Sequence, residues 1–265
     1  MKRNFYVALA TLILALPGFL FGGCSVPSLK VEANKAAIVD QLYTLEPNQA
    51  FIDKATGDLE NSGFQVDIYR GDQITVDFYR SLPTLGYKLI IFRSHSGLQT
   101  GTLHLEGGDQ PVHRTYLFTN EPYSTTAHVG DQLSDRLAKA RIDDSHPWVF
   151  GISADFVRRS MQGNFDHTFV IMMGCSTLDI DDLAQSFVER GASAYTGWDA
   201  SVGLDYVDNV TLTLLEKLFS HEVSVQAAVT DTMQEKTTDP NWGAKLKYYP
   251  DPSGTKTLTD LLKGT

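Results

Sequence analysis

Residues 89–97 read LIIFRSHSG, and residues 169–176 read FVIMMGCS. Both open with an unbroken run of large apolar side chains and close in small residues. An apolar run without polar alternation is the pattern of a strand covered on both faces, as the inner strands of a parallel sheet are. The abrupt change to Ser, His, Gly and Cys marks where each strand leaves the sheet.

The flanking sequence alternates strand and helix patterns. Residues 36–42 (AAIVDQL) and 65–69 (QVDIY) predict further strands. Between them, residues 48–62 predict a helix, because Phe51, Ile52, Ala55 and Leu59 recur at helical spacing and Gly63 stops it. A helix over 75–82 ends before Pro83, and 88–93 is the strand leading to His95. Downstream, the pattern predicts a strand at 115–119 and helices at 132–139 and 154–161. A strand at 168–173 follows, then a helix at 181–190 with Gly191 beyond its end, and a strand at 192–197. Helices at 208–220 and 225–236 come last, and 237–254 reads as an irregular cover. This alternation predicts an α/β domain over residues 36–265, with a mostly parallel central sheet and helices on both faces, hence three layers.

In such a sheet the carboxyl ends of the strands border the ligand crevice. His95 and Cys175 both fall there, and a thiol beside an imidazole is the minimum for thiolate attack. The chain holds two cysteines, the other being Cys24. Residues 1–23 read as an export signal: Lys2 and Arg3 are basic, 5–16 is apolar except for Thr11, and Pro17 breaks the run. The ending FGGC at 21–24 resembles the lipobox of prokaryotic lipoproteins, with Phe21 where leucine is usual. It implies a lipidated Cys24, a tether at 24–35, and a body on the extracytoplasmic face of the cell membrane. The alternatives are ordinary cleavage and an uncleaved anchor, and for the latter the apolar run is short of the roughly 20 residues a span needs. With lipid on Cys24, Cys175 has no disulfide partner in its own chain. A lone thiol in an oxidising compartment is a liability unless it is buried or used.

The formal net charge of −10 argues against nucleic acid, whose phosphates call for basic patches. No Walker-type or GxGxxG loop is present, and His104, His113, His128, His146, His167 and His221 show no paired ligand spacing. Neither a cofactor nor a metal is expected.

The blocks around His95 and Cys175, with GASAYTGWD at 191–199 after them, together resemble the clan CD cysteine peptidases, among them caspases, gingipains, clostripain, legumain, separase and CHAT domains. The likeness spans residues 36–233. That family usually places glycine directly after the histidine and often alanine before the cysteine; here Ser96 and Gly174 stand in those places. The resemblance implies a caspase-like three-layer fold and a membrane-anchored cysteine endopeptidase acting on peptide or protein substrates. It implies Cys175 as nucleophile, assisted by the amino end of the following helix, and His95 as proton acceptor and donor. The N–H groups of Cys175 and Gly97 become the oxyanion donors. Trp198 stands either as the wall of a substrate cleft or as a cover of the sheet edge, and Asp199 as a partner for a basic side chain; Asp179, Asp181 and Asp182 read first as caps at a helix start and second as the rest of an acidic rim suited to Lys or Arg. Two alternatives stand beside this reading: a catalytically inactive caspase-like module on a lipoprotein that binds a peptide or partner with the same cleft, and a lipoprotein whose cysteine is merely packed.

Overall fold

The computed structural model describes residues 34–105, 108–220 and 222–264; the export segment, Cys24 and most of the tether lie outside them. Among the described residues no helix is long and apolar enough to cross a membrane.

The first described strand is β1 (Asn34–Asp40); a short 3-10 helix at Gln41–Thr44 follows, then helix α1 (Gln49–Asn61) and the parallel strand β2 (Phe64–Arg70). The Asn48 side chain caps α1 by accepting the Phe51 N–H at 3.1 Å, and the stripe of Phe51, Ile52, Ala55 and Leu59 is buried. Helix α2 (Val76–Ser81) leads to β3 (Tyr87–Arg93), which pairs with the other side of β1. The chain then builds a separate antiparallel sheet. Strands β4 (Ser96–Leu105) and β5 (Gly108–Pro122) form a hairpin; helix α3 (Val129–Gln132) precedes β6 (Leu137–Ala140) and β7 (Val149–Ser153). Helix α4 (Ala154–Arg159) returns to the central sheet, where β8 (Thr168–Met172), α5 (Asp182–Glu189) and β9 (Ala192–Trp198) follow. Helices α6 (Leu204–Leu218) and α7 (Val225–Lys236), strand β10 (Leu246–Tyr249) and helix α8 (Leu258–Lys263) complete the fold.

The central sheet runs β10-β9-β8-β3-β1-β2 and is parallel except for β10. Its inner strands feed two cores by simple alternation. Ile38, Leu89, Ile91 and Ile171 join one core with the buried faces of α1, α6 and α7. Val39, Ile90, Phe92 and Met172 join the other with α2, α4, α5 and with Leu117, Phe150 and Ile152 of the antiparallel sheet. Two-sided burial is what the unbroken apolar runs encode, at about 1.5–3 kcal/mol for each large side chain removed from water.

Several stretches depart from the sequence expectation. Residues 132–139, expected as a helix, hold the end of α3 and the start of β6. Leu137 is buried by pairing with β7, while Leu133 is 84 % exposed, so their spacing never forms a buried helix face. The strand expected at 115–119 is the inner part of the longer β5 and belongs to the antiparallel sheet. Its partner β4 (SGLQTGTLHL) is rich in Gly, Thr and polar residues and carries no strand signal of its own. Residues 237–254 contain β10, whose pairing with β9 is a tertiary effect that four residues of sequence do not announce.

Candidate functional site

Strands β3 and β8 are neighbours in register, with Phe92 opposite Met172, and the Met173 N–H donates to the Phe92 carbonyl at 3.0 Å. The segments that follow, 93–96 and 173–176, therefore leave the sheet side by side. The Ser96 hydroxyl ties them together by donating to the Cys175 carbonyl at 2.5 Å. A Cβ at Gly174 would fall on the Ser96 side chain and lie 2.9 Å from the Ser94 carbonyl oxygen. Ser96 and Gly174 are the two positions where the sequence departs from the clan CD pattern, and they are the two halves of one contact. Gly174 thus makes room for Ser96, not for a substrate. Gly174→Ala is expected to cost about 1–3 kcal/mol in thermal or urea unfolding, as overpacking does. Adding Ser96→Gly should recover part of that loss, a non-additivity that a double-mutant cycle reads directly.

Cys175 is half-buried against the core that contains Trp198 and Val202. Its Sγ accepts the Val202 N–H at 3.4 Å and lies 3.7 Å from the Val202 carbonyl. Val202 immediately precedes Gly203, the N-cap of α6. The positive end beside the sulfur therefore belongs to α6, a helix of 15 residues. The expected helper, the helix directly after Cys175, starts only at Asp182, beyond an irregular turn. Ser176 within that turn adopts a left-handed backbone, φ 53°, and donates its N–H to the Ala200 carbonyl at 2.9 Å. The Cys175 N–H has no acceptor among the described residues.

His95 is half-buried at the end of β3. Its N–H donates to Gln41 Oε1 at 2.9 Å, its carbonyl accepts the Phe118 N–H at 3.0 Å, and its ring lies 6.3 Å from the Phe118 ring. Burial first, then the charges of His146 and Arg93, hold the imidazole pKa down at about 4. His95 is therefore neutral at neutral pH. No hydrogen bond joins its ring to Cys175 among the described residues. Gly97 stands in β4 opposite Tyr116. With the Phe118 N–H on the His95 carbonyl, ladder alternation makes 97/116 a hydrogen-bonded pair, which commits the Gly97 N–H to Tyr116. Of the two expected oxyanion donors, only the Cys175 N–H is free.

The depressed imidazole has a consequence for stability. Between pH 6.5 and about 4 the unfolded chain binds a proton at His95 that the folded chain refuses. Unfolding free energy from this group therefore falls as pH falls through that window, by up to about 3 kcal/mol. His95→Gln should flatten the loss between pH 6.5 and 4, measured as urea midpoints at each pH. An unchanged slope would remove the burial argument.

Beneath the two loops lies a charged cluster that the sequence reading missed. Arg93 is 1 % exposed. Its Nε and one terminal nitrogen grip both Asp208 oxygens at 2.8 and 3.0 Å, and the other terminal nitrogen binds Asp40 at 2.9 Å. The Glu46 carbonyl and the Asn48 amide complete it, each at 2.8 Å. The signal was present: Asp40 and Arg93, of opposite charge, terminate neighbouring apolar strands and are paired in register.

The expected substrate contacts are placed differently. Trp198 is 1 % exposed and packs edge-on to Tyr206 at 5.7 Å, so its ring belongs to the core, not to the wall of a cleft. Asp199 accepts the Lys245 N–H at 2.7 Å and pairs with Lys247 at 3.2 Å. The Asp182 carboxylate accepts the Thr115 and Leu183 N–H groups at 2.9 and 2.7 Å, and burial raises its pKa. Asp179 and Asp181 face solvent. No acidic pocket results. No protein-family model matches the chain, and no curated protein matches it.

Proposed function

We propose that the chain is a cysteine peptidase of caspase-like, three-layer architecture in which Cys175 is the nucleophile and His95 moves the protons. The observation that carries this reading is the tie between the two loops: Ser96 on the Cys175 carbonyl, at the carboxyl edge of adjacent parallel strands. The two cores on opposite faces of the central sheet support the layered architecture. The export pattern at 1–23 and Cys24 supports a lipid-anchored, extracytoplasmic setting.

In the reaction, neutral His95 accepts the thiol proton as Sγ attacks the scissile carbonyl carbon; general-base help of this kind is worth about 10²- to 10⁴-fold. The oxyanion develops beside the free Cys175 N–H. The C–N bond breaks as His95 returns the proton to the leaving amine, which leaves a thioester on Cys175. Water, deprotonated by His95, then attacks the thioester carbon, releasing the acid and restoring the thiol. The reaction requires the ring and the sulfur to come within hydrogen-bond reach, since catalytic hydrogen bonds often form only in the liganded complex.

A second reading draws on the Val202 contacts. A thiol held between the N–H and carbonyl of one residue, with no bond to His95, also suits a non-catalytic module that binds peptide in the same cleft. Alkylation separates the two. Under the peptidase reading, iodoacetamide labels Cys175 of the folded protein at pH 7 faster than it labels the urea-unfolded chain, and His95→Ala slows that labelling. A Cys175 that reacts only after denaturation would overturn it.

A further inference from the structure

We infer that the hollow beside His95 is a specificity pocket for one mid-sized apolar side chain, Leu, Ile or Met, of an extended peptide. The inference rests on the peptidase reading and names the substrate class of that site.

The hollow has a volume of about 150 Å³ and opens between the turn after β1, strand β5 and the loop joining β6 to β7. It is continuous with the surroundings of His95. Gln41 lines it and accepts the His95 N–H; Phe118 lines it and lies against the His95 ring. A complete small-molecule site occupies roughly 300–1,000 Å³, so this volume suits a single side chain and not a whole ligand.

Its polar lining, Thr44 apart, is already spoken for. The Gln41 amide donates to Asn120 Oδ1 at 2.5 Å, and the Asn120 amide donates to the carbonyls of Gln41 and Gly71, both at 2.9 Å. Arg141 is paired with Asp144 and lies 4.2 Å over the Trp148 ring. His146 Nδ1 is 2.8 Å from Asp143 Oδ1. Besides Thr44, what is left to meet a ligand is apolar: Leu45, Phe118, Ile142, Pro147 and Val149. Leu45 and Ile142 are 37 % and 38 % exposed, two large apolar side chains facing water on the lining of one hollow. Scattered exposed hydrophobics need no explanation, but a pair lining one concavity beside a candidate base marks a binding site. A basic guest would meet the Arg141 guanidinium, and an acidic one would compete with Asp144 for it. This selection replaces the Lys or Arg preference expected from the sequence, whose carboxylates are bonded elsewhere or lie in solvent.

The test uses fluorogenic peptides that differ at one guest position, scanned along the peptide with Leu, Ala, Asp or Lys. At one position Leu should exceed Ala by about tenfold or more in kcat/KM, the discrimination a few methylenes supply. Ile142→Trp, in an exposed loop, should fill the hollow and bring the Leu-to-Ala ratio close to one; Leu45→Asp is a second variant with the same expected result. Binding is read separately, by titrating the Leu and Lys peptides into Cys175→Ala protein and following tryptophan fluorescence. Hydrolysis that favours Lys or Asp and ignores both variants overturns the pocket while the peptidase reading stands. Saturable Leu-selective binding lost in Ile142→Trp, without hydrolysis by the parent protein, upholds the pocket and overturns the peptidase reading. Absence of both Leu-selective binding and Leu-selective hydrolysis overturns the inference.

Discussion

Alanine at position 175 is expected to lower kcat/KM for a cleavable peptide by about ten-thousandfold or more, the scale on which removal of a covalent nucleophile acts. Stability should change little. Cys175 is half-buried, and losing one sulfur from the edge of a core costs about 1 kcal/mol or less. The pairing of a large kinetic loss with an intact thermal midpoint is the informative result. Serine keeps a group within reach of the Val202 backbone but lacks the reactivity of the thiolate, so Cys175→Ser should resemble alanine in rate. His95→Ala should lose about 10²- to 10⁴-fold, less than the nucleophile. Hydrolysis that survives Cys175→Ala would place the chemistry elsewhere in the molecule.

Replacement of Arg93 by methionine is expected to destabilise the protein by about 3–5 kcal/mol, the cost of breaking a buried ion cluster from one side. Methionine fills much of the volume, so the loss comes from charge. Asp208 would forfeit its bidentate partner and Asp40 its hydrogen-bonded guanidinium, both inside the fold. The urea midpoint should fall at an unchanged slope against denaturant concentration. Asp40→Asn should be much milder. Burial raises the Asp40 pKa, and its Oδ2 has no hydrogen-bond partner among the described residues, so its negative charge is poorly served already. A methionine variant within 1 kcal/mol of the parent, by contrast, would mean that water enters the cluster and shares its charge.

The central sheet was legible because two-sided burial leaves an unmistakable mark. The runs ending at Asp40, Arg93 and Met172 are apolar at every inner position, and α1 and α7 carry caps and stripes that fix them closely. Of the antiparallel sheet only the inner part of β5 was legible. Its strands are covered on only part of their length, and β4 spends its side chains on Thr, Gly and Gln. The site shows the same division. The position of His95 and Cys175 just beyond strand ends was legible because it is a local property. Commitment of the Gly97 N–H to Tyr116 and pairing of Asp199 with Lys245 and Lys247 depend on partners at least 19 residues away, and burial of Trp198 depends on the whole core around it; no local pattern reports them. Ser96 and Gly174 looked like two unrelated departures until the fold showed them touching.

Strand β10 has a consequence for how the molecule is made. It pairs with β9, yet the chain must first complete α6 and α7 before Leu246–Tyr249 can reach that position. Until then, the outer margin of β9 offers a row of backbone donors and acceptors to any strand that passes, including one from a sister chain. A product interrupted between α7 and β10 is therefore not a shorter version of this protein but a sticky one, primed to polymerise along the very border that the finished chain seals for itself.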